Sequence, residues 1–248
     1  MIILKTRAEI AKMREAGRIL ARAQRIAGEM LRPGITTEEL DAEIHRVITE
    51  AGASPSFLGY NGFPKSACIS VNEEVVHGIP GKRKVKEGDI VGIDIGVYLD
   101  EYHADAARTF AVGEVTPEVA KLLKVTEDAL MLAINMIKPG KRLGDICAAI
   151  QKHAESHGFS VVRELSGHGI GQSLHEEPSV PNFGRMGTGP KLKEGMTLAI
   201  EPMVNIGTPK VKILSDDWTV VTADGKCSAQ FEHTIAIGKN SAEILTLE

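Results

Sequence analysis

The chain has 248 residues, 43% of them hydrophobic and 25% charged, which is ordinary for a soluble globular protein and long enough for one large domain or two small ones. A net charge of −4, from 29 basic and 33 acidic residues, argues against a phosphate-binding, nucleic-acid surface as its main business. No apolar run approaches the ~20 residues of a membrane span, and "MIILK" is too short for a signal-peptide core. Three scattered cysteines (Cys68, Cys147, Cys227) without a CxxC pair suit a reducing cytoplasm.

Thr6 with Glu9 makes a capping box that opens a helix through residue 30, and Thr36 with Glu39 opens a second. "GIDIGVYLDEYHADAARTFAV" alternates around a polar centre and reads as a hairpin. A two-residue turn at Leu99-Asp100 would set Asp94 directly opposite Asp105. Thr116-Pro117 starts a long helix with an apolar stripe through Leu122, Val125, Leu130, Ile134 and Ile137. After Gly158 the sequence turns to strands: "FSVVREL", "GMTLAIEPMV" and "WTVVTADGKCSAQFEHTIAI", the last with a "DG" turn in its middle. Helices beside a largely antiparallel sheet give an α+β class.

Two blocks recur in order. "RPGITTEELDAEIHRVITEAG" (32–52) is echoed by "KPGKRLGDICAAIQKHAESHG" (138–158), and "VKEGDIVGID", ending at Asp94, by "LKEGMTLAIE", ending at Glu201. This repeat implies two related halves about a pseudo-twofold axis, roughly 1–110 and 111–248, with no Ser/Pro-rich linker to split them into separate domains.

The repeat ends on acids where the flanking residues read as buried. Asp94 and Glu201 correspond, and Asp105 and Glu232 add a later acid to each half; "SGHGIG" sets His168 among glycines, where a ligand can approach the backbone closely. Singly, Asp105 and Glu232 are most simply solvated or salt-bridged. Together, four carboxylates balance two divalent cations. Carboxylates with one imidazole and no thiolate suit Mn, Fe(II), Co or Zn. Two such ions about 3.5–4 Å apart form a hydrolytic arrangement, activating water and polarising a carbonyl or phosphoryl oxygen.

"IDIG", "HADAA", "GHGIG", "AIEPM" and "FEHT", in this order over nearly the whole chain, resemble the five ligand segments of the methionine aminopeptidases, and specifically their short bacterial type I form. The resemblance implies the pita-bread fold and two divalent ions held by Asp94, Asp105, His168, Glu201 and Glu232. Asp105 and Glu232 would bridge both, Asp94 would bind one, and His168 and Glu201 the other. It also implies a monovalent-cation site near Asn72 and Ser228. A lone histidine beside small or apolar residues is ordinarily a structural hydrogen-bonder, but His77 and His175 match positions that contact substrate. A methionine pocket is implied with Tyr60, Phe63, Cys68, His77, Leu174 and Trp218 as lining. By itself the aromatic "SFLGYNGFPKSAC" segment is either a hydrophobic plug or a pocket, with core packing the default; as a pocket its aromatic walls suit a thioether.

The expected reaction is removal of the N-terminal methionine from nascent polypeptides with a small second residue, by a cytoplasmic monomer that works near the ribosome. Glu201 would be general base, His175 the donor to the oxyanion, and His77 would orient the scissile amide. His103 and His233 are expected to point away from Asp105 and Glu232, and His45, His153 and His157 to be surface residues. The rivals are an X-Pro peptidase of the same fold, a non-catalytic peptide-binding scaffold, and a carboxylate-rich phosphohydrolase.

Overall fold

The computed structural model describes residues 1–248. Both capping boxes form as read: α1 (Arg7–Met30) follows Thr6 and α2 (Thr37–Glu50) follows Thr36, each threonine accepting from the backbone of the glutamate three residues on. Beyond α2 come β1 (Ser54–Pro55), a 3-10 turn at Tyr60–Gly62, β2 (Ala67–Val71) and β3 (Glu74–Val76). The long hairpin β4 (Ile90–Leu99) and β5 (Tyr102–Ala111) then leads to α3 (Pro117–Met136) and α4 (Leu143–Ser156). Short strands follow: β6 (Ser160–Val161), β7 (Ser166–Gly169), β8 (Glu176–Pro181), β9 (Thr197–Ile200), β10 (Met203–Asn205) and β11 (Val211–Ile213). The last are β12 (Val220–Thr222), β13 (Ser228–Gln230), β14 (His233–Ile237) and β15 (Ala242–Ile244).

Every strand pairing is antiparallel. β4 takes β5 on one side and β1 and β2 on the other; the largest second sheet runs β15-β14-β9-β7-β8. The repeat is visible in the backbone. Thr36 bridges Lys84 just before α2, and Arg142 bridges Lys191 just before α4, so each Pro-Gly turn is tied to the charged turn of its own half.

Each half buries its own apolar cluster. Alternation along β4 sends Val91, Ile93, Ile95 and Val97 into a core shared with Leu20, Ala23 and Ala27 of α1 and Leu40 and Ile44 of α2. The opposite face of β4 therefore carries Gly92, Asp94 and Gly96, and that of β5 carries Asp105, Ala107 and Thr109. A second cluster joins α3 and α4 to Leu198, Ile200, Val204, Phe231 and Ile235.

Four strand expectations change. The hairpin turn is Asp100-Glu101 rather than Leu99-Asp100, both residues having positive φ (48° and 72°), the backbone that a tight right-twisted hairpin demands. Asp94 consequently faces Ala107 and Asp105 faces Gly96. A slip of two preserves the pleat, so both acids keep one face but sit diagonally, not directly opposed. "GMTLAIEPMV" is broken at Glu201-Pro202, because Pro202 has no N–H to continue the ladder. The "DG" turn closes no hairpin: β12 pairs with β11 and β3, whereas β13 pairs with β10. "FSVVREL" keeps only two strand residues, since Arg163 and Glu164 turn out to solvent.

The C-terminal segment seats against α1 at Gly17, where any Cβ would collide with the Leu245 carbonyl oxygen. Gly17→Ala should therefore lower stability in chemical denaturation by about 1–3 kcal/mol, since overpacking against a backbone oxygen outweighs the ~1 kcal/mol helix-propensity gain. A gain in stability would show that the C-terminal segment does not pack there.

Candidate active site

One cavity of ≈ 210 Å³ joins an acidic end to an apolar end. Asp94, Asp105, His168, Glu201 and Glu232 line the first; Phe57, Phe63, Cys68, Leu174 and Trp218 line the second. His77, His175 and Tyr60 stand with them, so all the residues singled out in the sequence for the site meet here. Asn61 lines it as well and was not foreseen.

The acids arrive from four different backbones. Asp94 and Asp105 come from the pleat of β4 and β5. Glu201 and Glu232 sit at two kinks side by side: β9 pairs with β14 through Ile200 and His233, and β10 pairs with β13 through Met203 and Gln230. Both chains pass from one sheet to the other at the acid. Glu232 is fixed against β5 by its N–H, which donates to the Ala107 carbonyl at 2.7 Å. Two threonines complete the seam reciprocally. Thr234 Oγ1 accepts from Asp105 N at 2.9 Å and donates to Asp105 O at 2.8 Å. Thr109 Oγ1 accepts from Gln230 N at 3.0 Å and donates to Gln230 O at 2.8 Å.

His168 Nδ1 donates to the Gly169 carbonyl at 2.8 Å, which leaves the Nε2 lone pair aimed at the acids. Nε2 lies 3.8 Å from Asp105 Oδ2 and 3.8 Å from Glu201 Oε1. Burial, with His175 nearby, lowers the His168 pKa to about 4, so the ring is neutral and these are not ion pairs. Burial pushes Asp94 up to about 7. It drives Asp105, Glu201 and Glu232 well above the carboxylate range, with repulsion among the acids adding to it.

Asp94 Oδ1, Asp105 Oδ1 and Glu232 Oε1 are three of the five buried side-chain atoms in the chain without a hydrogen-bond partner. Ligand atoms of Asp105, His168 and Glu232 lie within 4.8 Å of one another. Unpartnered carboxylate oxygens facing an unprotonated imidazole nitrogen are the donor set of a hard or borderline divalent cation, so the residues fit such ions. Glu201 differs in having one oxygen occupied: Gln230 Nε2 donates to Oε2 at 3.1 Å.

The apolar end is equally built. His77 follows β3 with φ 60°, a left-handed backbone uncommon for histidine, and that strain aims its ring into the cavity. Trp218 meets Phe63 edge-on at 5.1 Å and His77 at 6.4 Å. Asp216 Oδ1 accepts from Trp218 N at 2.9 Å and holds that turn. Gly96 leaves room for Phe57, whose Cε1 would lie 2.7 Å from any Cβ at that position. Tyr60 OH is 2.8 Å from His175 Nδ1, and the His168 and His175 rings are 4.2 Å apart.

Several supporting residues escaped the sequence reading. Asp41 of α2 accepts from Ser66 N and Ala67 N, both at 2.9 Å, and so fixes the exit of the Tyr60–Phe63 segment. His45, expected on the surface, is half-buried with Nδ1 2.8 Å from Ser66 Oγ, and His153 is also half-buried. The helical spacing of Asp41 and His45 from the buried Leu40 and Ile44 was the available signal. His103 corrects an expectation: two residues from Asp105 along a strand, it shares that face, packing on Tyr98 at 4.6 Å with Nδ1 2.9 Å from Ser56 Oγ. His233 does turn away, with Nδ1 2.8 Å from Thr246 Oγ1.

Residues 11–239 match the model of metallopeptidase family M24. The chain is 56% identical over 247 residues to the methionine aminopeptidase of Clostridium perfringens, covering 100% of this chain and 99% of that one. It is 55% identical to methionine aminopeptidase 1 of Bacillus subtilis, covering 99% of each. The chain belongs to metallopeptidase family M24, among its methionine aminopeptidases. Its fold superposes on the crystal structure of the Thermotoga maritima methionine aminopeptidase with a TM-score of 0.99 at 48% identity, covering 100% of both chains. The prolidase of Pyrococcus furiosus, at 24% identity and a TM-score of 0.82 over 66% of its length, shares the pita-bread fold. Family membership and the donor cluster together establish divalent-metal use.

In metal-free protein these groups link stability to pH. A buried histidine with a lowered pKa is neutral when its unfolded counterpart is protonated, so His168 adds stability as pH rises from about 4 towards about 6.5. The acids act oppositely. Below their raised folded values they hold protons that the unfolded chain has lost, so stability falls as pH rises. Above about pH 6.5 only the acids still act. The thermal midpoint of chelated protein should therefore fall between about pH 6.5 and pH 8, and saturating Mn(II) should suppress the fall. A flat profile without metal would contradict the gathering of four carboxylates in one cavity.

Proposed function

We propose that this protein hydrolytically removes the N-terminal methionine from nascent polypeptides whose second residue is small. The observation that carries the reading is one cavity with a five-residue metal-donor set at one end and an apolar, aromatic-walled recess at the other. Residues 1–248 act as one catalytic unit with halves at roughly 1–110 and 111–248.

Asp94, Asp105, His168, Glu201 and Glu232 would hold two divalent ions drawn from Mn, Fe, Co and Zn. A monovalent cation would bind near Asn72 and Ser228. Bound divalent ions supply Lewis acidity and a water acidified enough to attack a carbonyl near neutral pH. The methionine side chain lies among Tyr60, Phe63, Cys68, Leu174 and Trp218, where sulfur–aromatic contact and burial favour a thioether. This fixes the scissile carbonyl beside the acids, converting attack into an effectively unimolecular step.

Glu201 takes the proton of the attacking water at Oε1 and delivers it to the leaving amine, while Gln230 keeps Oε2 occupied. His175 donates from Nε2 to the developing oxyanion, its Nδ1 engaged by the Tyr60 hydroxyl. His77 orients the scissile amide from the opposite wall. The enzyme acts as a cytoplasmic monomer on chains emerging from the ribosome.

Release of methionine from a Met-Gly peptide should vanish on chelation and return with Mn(II) or Co(II). Glu201→Ala should lower kcat by about 10²–10⁴ with the metal-loaded protein still folded. Chelator-insensitive release, or cleavage confined to X-Pro bonds, would refute the reading.

A further inference from the structure

Lys5 and Glu176 form an ion pair with side chains only 3% and 7% exposed. Among the lysine and arginine pairs of this chain it is the most enclosed; the next base, Lys65, is 26% exposed. None of the chemistry proposed above uses it. Removing two charges from water costs as much as their attraction returns, and apolar side chains of similar volume would fill the space without that cost. Stability alone therefore does not account for the pair. Its location does.

Glu176 adjoins His175 in chain, at the point where Gly169 and Glu176 face each other across β7 and β8. Segment 169–176 is thus a closed loop with His168 before one end and His175 just inside the other. The loop is wound back onto the Glu176 carboxylate. Ser173 N donates to Glu176 Oε1 at 3.3 Å, and Gly171 N donates to Ser173 O at 3.1 Å. Gly171 lets the pair close against the loop, since a Cβ there would displace Lys5 Cε and Glu176 Oε1 from their present positions. Glu176 opens β8 and His175 is the last residue of the loop before it, so the carboxylate that fixes the loop is one residue from the imidazole it places. Lys5 is itself fixed, its N–H donating to the Gly195 carbonyl at 2.7 Å in the turn that leads into β9.

We propose that Lys5 and Glu176 are positioning residues for the reaction. Through this buried pair the N-terminal segment holds the 169–176 loop in the register that brings His175 to the substrate carbonyl oxygen. The inference rests on the oxyanion-donor role proposed for His175.

The test is a cycle on the full-length Mn(II)-loaded enzyme with a Met-Gly peptide, reading kcat, KM, bound metal and thermal midpoint. His175→Ala alone should lower kcat. Lys5→Met combined with Glu176→Gln, which removes both charges and leaves none unpaired, should lower kcat by about 10- to 100-fold, the scale of an ångström-sized misplacement. KM and bound metal should stay within about twofold, as expected when an interaction made in the transition state is lost. Added to His175→Ala, the paired substitution should cause no further loss in kcat, which a general loosening of the fold would not produce. Should the neutral pair not fold, the charge-exchanged Lys5→Glu with Glu176→Lys is read the same way, with kcat recovering above either single substitution. An unchanged kcat, an equal loss with and without His175, or failure of both paired variants to fold would overturn the proposal. An unaltered kcat for His175→Ala would instead overturn the role of His175 itself.

Discussion

Asp94, Asp105, Glu201 and Glu232 face one another across a single cavity, two of them buried and two half-buried. Like charges 4 Å apart repel by about 4 kcal/mol even at an effective dielectric constant of 20, so four ionised carboxylates cannot stand together unaided. Either protons stay on them, as their raised pKa values express, or cations lie between them. The first solution leaves acids that cannot accept a proton; the second leaves oxygens free to ligate and one carboxylate free to act as base. The unpartnered oxygens of Asp94, Asp105 and Glu232 are arranged for the second.

The fold meets this constraint by assembling the acids from backbone features that are rigid for independent reasons. Pleat parity puts Asp94 and Asp105 on the face of the hairpin turned away from the α1–α2 core. Pro202 breaks the ladder beside Glu201, and the neighbouring chain kinks at Phe231-Glu232 to follow it. Thr109 and Thr234 then lock the two seams by holding the backbone of the opposite residue through both its N–H and its carbonyl. Hydrogen bonds of this kind leave the acid side chains unencumbered, which a site built from side-chain pairs would not.

How much of this was legible follows from the kind of signal involved. The capping boxes and the repeated blocks are local or periodic signals, and the boxes form as read, while the five candidate residues Asp94, Asp105, His168, Glu201 and Glu232 line one cavity. Turn geometry was less accessible. Nothing in "LDEY" decides between Leu99-Asp100 and Asp100-Glu101 until the ladder is formed, and only the even slip of two kept Asp94 and Asp105 on one face. Strand breaks at Glu201 and Glu232 and the separation of β12 from β13 depend on which sheet each segment joins, a long-range choice. Supporting residues were hidden for a further reason. Asp41, Gln230, Thr109 and Thr234 act on groups 25 to 129 positions away, and no short motif records such partners.

The two ends of the cavity are also one mechanical unit. Tyr60 belongs to the apolar recess yet its hydroxyl engages His175, whose ring lies tilted against that of His168 at the acidic end. Trp218 belongs to the recess yet packs on His77. Each of these two histidines is therefore braced by a residue of the apolar recess. In the function proposed above, a side chain that fills the recess would press on Tyr60 and Trp218, and through them on His175 and His77. Binding energy gathered at a non-reacting part of the substrate is in this way applied to the geometry of the reacting part, which is where it raises turnover as well as affinity. Selection for methionine and acceleration of hydrolysis are then consequences of the same set of contacts.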